Sequence, residues 1–150
     1  MKTNKIIMVM GVLVSLSSSF VIADTTGATP MISNFDSKKL DAAPSVVVEN
    51  ADFMTVVENK GSKVKSVRVF ESTDKKLTAD LAAYEKTTLK LKDWPIDEYM
   101  VIIEGQLEIS DEKGNSKIYG PGEAFVMPKG FTGTWRQLTD IKKMTVNYER

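Results

Sequence analysis

A chain of 150 residues with 20 basic and 20 acidic side chains is the size of one domain, and its zero net charge leaves no positive excess for holding nucleic acid. With 42% hydrophobic and 27% charged residues it has the balance of a packed globular protein and not of a disordered one. The absence of both Cys and His removes disulfides, thiolate nucleophiles, imidazole bases and imidazole- or thiolate-bound metals, so any chemistry must run on carboxylates, Lys, Arg, Tyr, Ser or Thr.

The first residues read as an address. Lys2 and Lys5 form a positive start, Ile6 to Val14 an apolar run, and Ser15 to Ser19 lead to Val21-Ile22-Ala23, with small or medium residues at the cleavage site. This pattern predicts a signal peptide over residues 1–23, cleaved after Ala23. The alternative is an uncleaved anchor, but a span needs about 20 apolar residues and the serines interrupt this run. Cleavage predicts a periplasmic or secreted bacterial protein without a membrane attachment. It leaves 18 basic against 20 acidic residues, a net charge of −2.

Residues 24–45 have little apolar period and carry Thr-Pro and Ala-Pro breaks, so they read as a leader or linker lying over the domain or partly mobile. A domain follows over residues 46–150. Val64 to Phe70 alternates, Thr78 to Glu85 reads as a strand or a helical turn, and Thr87 to Lys92 alternates with leucines on one face. Glu98 to Glu104 and Gln106 to Ser110 flank Gly105. Asp111-Glu112-Lys113-Gly114-Asn115 reads as a hairpin loop with Gly and Asn supplying positive φ. Ser116 to Tyr119, Ala124 to Met127, Thr132 to Leu138 and Lys143 to Tyr148 complete the pattern, separated by Gly120-Pro121-Gly122 and Pro128-Lys129-Gly130. Short strands at intervals of about 8–12 residues predict an all-β antiparallel barrel or sandwich of six to eight strands, with little helix. Lys38-Lys39, Lys75-Lys76 and Lys142-Lys143 read as solvated surface charge.

The run Asp97-Glu98-Tyr99-Met100-Val101-Ile102-Ile103-Glu104-Gly105-Gln106-Leu107-Glu108-Ile109 resembles the first motif of the cupin superfamily, and Tyr119-Gly120-Pro121-Gly122-Glu123-Ala124-Phe125-Val126-Met127-Pro128-Lys129-Gly130 resembles the second. With Thr134-Trp135 and the closing strand, the stretch from Val64 to Tyr148 is similar to a small cupin domain of the ureidoglycine-aminohydrolase-like type. The resemblance implies a cupin-type antiparallel β-barrel, a double-stranded β-helix or jelly roll. It also implies a metal held by histidines and a glutamate. Glu98 matches the glutamate, six residues before Gly105. The two first-motif histidine positions fall on Lys92 and Trp94 or on Leu91 and Asp93, the second register being mildly favoured by the leucine face, and the second-motif histidine falls on Gly133. None of these residues is a histidine, so neither a metal nor any other cofactor is expected.

What remains is a small-molecule pocket. Glu98 and Trp135 are expected to point into the barrel, with Asp93, Trp94 and Tyr99 near them, as ligand-binding residues for a small polar ligand, sugar- or amide-like. Glu98 is also the candidate acid–base group. Against this stand plainer roles: Trp94 and Trp135 as core plugs, Glu98 as half of an internal ion pair, and Asp93 to Glu98 as a solvated loop. The competing functions are a binding protein, an enzyme acting on a small polar metabolite (an aminohydrolase or isomerase using Glu98 or Tyr99), and a structural dimer. Exposed edge strands make a homodimer the expected assembly.

Overall fold

The computed structural model describes residues 31–150. The expected signal peptide over residues 1–23 and residues 24–30 of the expected leader lie outside the described residues. One helix, α1 (Ser37–Ala42), precedes eleven strands: β1 (Val46–Val47), β2 (Met54–Glu58), β3 (Lys63–Glu71), β4 (Leu77–Tyr84), β5 (Thr88–Leu91), β6 (Asp97–Glu104), β7 (Leu107–Asp111), β8 (Ser116–Tyr119), β9 (Ala124–Met127), β10 (Gly133–Gln137) and β11 (Ile141–Tyr148). They form two antiparallel sheets, a six-stranded one in the order β1-β3-β4-β11-β6-β9 and a five-stranded one in the order β2-β5-β10-β7-β8. Two facing antiparallel sheets with long crossovers make the expected jelly-roll barrel.

The expected strands are present, Leu77–Tyr84 among them as a strand. The count of six to eight is corrected to eleven among the described residues: all nine segments from Lys63 onward form separate strands, and the segment before Lys63 adds two short edge strands that lack a clear alternation. The leader before Val46, expected to lie over the domain or to be partly mobile, holds α1. The Asp36 carboxylate caps it by accepting from the Lys38 N–H at 2.9 Å, and Leu40, buried at its end, anchors it on the outer face of β3 and β4. That cover explains why β4 is buried on both faces from Thr78 to Ala82. In the β7–β8 loop only Gly114 takes a positive φ; Asn115 instead bonds the Asp111 carboxylate through its backbone and side-chain nitrogens.

The core fills the space between the sheets, with Leu89, Leu91, Met100, Ile102, Leu107, Trp94 and Trp135 among its buried members. Trp94 meets Phe53 edge to face at 5.3 Å. Gly105 joins β6 to β7 at φ +84, and a Cβ there would stand 2.0 Å from the Asp140 carbonyl oxygen. Only glycine therefore lets the β6–β7 turn lie against the residue before β11.

Candidate functional site

The inner face of the six-stranded sheet is not uniformly apolar. β11 is inverted: Lys143, Thr145 and Asn147 are buried, while Met144 and Val146 turn outward and stay half-buried. Its cross-strand partners fix the rows. Lys143 stands between Ala82 and Ile102, Thr145 between Asp80 and Met100, and Asn147 between Thr78 and Glu98. An irregularity between Lys142 and Lys143 sets two residues of β6 against one of β11, so Ile102 and Lys143 both face inward.

Glu98 is 1% exposed, and its Oε1 accepts from the Lys143 Nζ at 2.9 Å. The two residues are not opposite one another. Lys143 faces Ile102, four residues along β6 from Glu98 or about 13 Å of strand, so both side chains run toward each other over Met100. The ammonium also reaches the Met100 Sδ at 3.4 Å, and lies 4.9 Å from the Trp135 ring centre and 5.6 Å from that of Tyr84. Lys143, read from sequence as a solvated surface charge, is corrected to a buried one at 1% exposure. Burial pushes the Tyr84 phenol well above its usual range, with the Glu98 and Asp80 carboxylates adding to the effect.

A second polar group adjoins the first. Asp80 accepts from Arg68 and from the Asn147 Nδ2, the latter at 3.0 Å, and Asn147 also bonds the Thr78 hydroxyl at 3.2 Å. Burial raises the Asp80 carboxyl above its usual range, opposed by the Arg68 hydrogen bond and charge. Arg68 itself is exposed and also pairs with Glu71 at 2.8 Å. It sits on β3 beyond the reach of β1, which covers β3 only near Val64.

Several buried polar atoms have no hydrogen-bond partner among the described residues: Glu98 Oε2, Asn147 Oδ1, Trp135 Nε1, Trp94 Nε1 and Gln137 Nε2. Glu98 and Asn147 are direct cross-strand partners on one face, so their two free acceptor oxygens belong to one neighbourhood.

The sequence candidates separate. Glu98, Trp94 and Trp135 are buried within the barrel, and Lys143 stands between Glu98 and Trp135. Tyr99 is 42% exposed on the outer face, where it pairs with Val126 and Val146, so it does not join Glu98. Asp93 is exposed in the loop after β5, at φ 51, and its N–H donates to the Thr132 hydroxyl. Lys143, Asp80, Arg68 and Asn147 were missed, because polar residues on a strand are read as its solvent face. The signal available was parity, since Ile141 is buried and Lys143, Thr145 and Asn147 follow it at period two.

The residues present do not fit the metal that the resemblance implies. In neither register do both first-motif positions turn inward: Leu91 and Trp94 are buried, while Lys92 and Asp93 are exposed. At Gly133 a Cβ would stand 2.2 Å from the Ser110 carbonyl oxygen, so no side chain fits there without a backbone shift. Glu98 already holds an ammonium. Among the described residues no three Asp or Glu side chains converge.

A surface cleft of about 260 Å³ lies elsewhere, at the Glu85, Glu104 and Asp140 end of the six-stranded sheet. Its charges are mostly spent internally: Lys142 on Glu104, Lys65 on the Asp41 carbonyl, and Asp140 on the Lys86 N–H.

Comparison with known proteins agrees with this architecture. Residues 90–144 match the model of the EutQ-like cupin domain. The EutQ protein of Clostridium difficile superposes with a TM-score of 0.51 at 22% identity, covering 61% of this chain and 71% of that one. A protein of unknown function from Rhizobium leguminosarum bv. viciae 3841 gives 0.50 at 26%, covering 58% and 82%. A DUF861-family protein of unknown function from Pseudomonas syringae pv. tomato DC3000 gives 0.59 at 20%, covering 70% of this chain but 44% of that one. No curated protein matches the sequence. The two-sheet jelly roll and its structural neighbours together give this chain a cupin-type β-barrel fold, similar over residues 90–144 to the EutQ-like cupin domain.

Proposed function

We propose that this protein binds a small neutral polar ligand, sugar- or amide-like, inside its barrel, without a metal. The observation that carries this reading is the set of buried polar atoms left without partners. Each such atom costs about 1–3 kcal/mol unless water or a ligand satisfies it. Glu98 Oε2 and Asn147 Oδ1 call for donors, and Trp135 Nε1 and Gln137 Nε2 call for an acceptor. The neighbouring charges are already matched, Lys143 by Glu98 and Arg68 by Asp80, so a neutral ligand adds no unbalanced charge. Arg68, exposed at the open edge of β3, marks the side of entry.

A binding role suits the geometry better than acid–base catalysis, because Glu98 is tied to Lys143 and Tyr99 faces away. The aminohydrolase and isomerase readings therefore rank second. The purely structural reading draws on the packing of Trp94 and Trp135 and predicts ordered waters at the orphaned atoms. A cleaved signal peptide and a periplasmic or secreted location belong to this proposal. So does a homodimer, supported by the apolar outer face that carries Tyr99, Ile103, Val126 and Tyr148.

The test is calorimetric titration of the protein from residue 24 onward with neutral polyols, sugars and amides, and with acetate and phosphate for comparison. A neutral compound should bind, and Glu98→Gln should weaken it at least tenfold while the fold is retained. Preference for the anions, or no binding with waters filling every orphaned position in a crystal structure, would reject the proposal.

A further inference from the structure

We propose that Glu98, Met100, Tyr84 and Trp135 form a receptor for a monovalent ammonium ion, which the chain fills with its own Lys143 as a tethered cation.

The ammonium has three donors and meets an oxygen at 2.9 Å, a thioether sulfur at 3.4 Å and two aromatic faces. One carboxylate, one soft sulfur and two π faces are surroundings that balance a single positive charge and face its three donors with an oxygen, a sulfur and aromatic rings. They are too few oxygens for a hard divalent ion and contain no imidazole or thiolate for a transition metal. The tether also has the right length. Glu98 and Lys143 start four residues apart along the barrel and meet over Met100, a gap that a shorter amine side chain would not close. Lys143 is 1% exposed, so its charge acts in the interior and not in solvent. Where the cupin resemblance expects a bound metal beside Glu98, this chain supplies a cation covalently.

Chemical rescue tests the proposal. Lys143→Ala deletes a fragment equivalent to n-propylammonium and leaves the cage. Its thermal midpoint should fall well below wild type and recover saturably with n-propylammonium chloride, while n-propanol and sodium chloride at equal concentration recover little. Adding Glu98→Gln to Lys143→Ala should abolish the rescue. Equal rescue by n-propanol would mean that only volume matters and would overturn the proposal, as would no rescue by the amine. Wild-type protein offers a second measurement that does not depend on the variant's folding: Mn²⁺ titration followed by electron paramagnetic resonance. The free-ion signal should remain undiminished. Stoichiometric Mn²⁺ uptake that is lost in Glu98→Gln would overturn the tethered-cation assignment.

Discussion

Replacing Lys143 by Met keeps an unbranched apolar stem of four heavy atoms and removes the terminal ammonium and its charge. Glu98, at 1% exposure, then loses the donor on Oε1 while Oε2 already lacks one. Breaking one side of a buried ion pair costs about 3–5 kcal/mol, because the remaining charge is left desolvated and unmatched. At roughly 3–5 °C per kcal/mol for a chain of this size, the midpoint should fall by about 9–25 °C. Glu98→Leu should cost a comparable amount by stranding the ammonium. The double variant Lys143→Met/Glu98→Leu removes both charges and fills both volumes with apolar atoms, so it should return to within about 1 kcal/mol of wild type, or exceed it. The assay is a double-mutant cycle by urea unfolding followed through tryptophan fluorescence, with the m-value checked for constancy. Additive losses, or a Lys143→Met cost below about 1 kcal/mol, would refute the reasoning by showing that the lysine head group reaches water.

Asp80 sets a pH dependence of defined sign. Burial raises its folded carboxyl above the unfolded value of 3.8, so the native state holds the proton more tightly than the unfolded chain does. Compared with Asp80→Asn, wild type should therefore lose stability as pH rises from 3.8 through the raised folded value and stay level above it, as read by unfolding at stepped pH; a rise across that window would contradict the placement. Asp97 behaves oppositely. The Lys129 N–H holds it below 3.8, with Arg150 adding to the effect, so wild type should lose stability relative to Asp97→Asn as pH falls below 3.8. Gly105→Ala should destabilise by about 1–3 kcal/mol or more in the same unfolding assay, since its Cβ meets the Asp140 carbonyl and its φ is positive; an unchanged midpoint would mean that the turn can move away.

The fold was legible in the sequence because its signals are local. Gly105, Pro121-Gly122 and Pro128 punctuate strands whose periodicity is two, and Gly105 and Gly122 take the positive φ that the turns require. Glu98 was legible through the first-motif resemblance and Trp135 through its parity with Gly133, whereas parity with Leu89 and Leu91 pointed Asp93 inward and the chain instead turns at Asp93, φ 51, and buries Trp94. The short strands β1 and β2 were not, because edge pairing of two to five residues leaves little periodic trace. Nor was the partner of Glu98. Lys143 and Glu98 are 45 residues apart in sequence, and only the pairing of β11 with β6 brings them together. Polar residues at alternate positions of β11 look like a solvent face until the neighbouring strands show that face to be the interior. Arg68 and Asp80 were hidden for a related reason. An irregularity between Arg68 and Phe70 changes the phase of β3, and α1 buries the far side of β4, which erases its alternation.

The most direct test of the account is anomalous diffraction from a wild-type crystal soaked in Mn²⁺. Electron density for the Lys143 Nζ is expected against the Glu98 carboxylate, with no anomalous peak within bonding distance of that carboxylate. A manganese peak on Glu98 with the lysine displaced would contradict it.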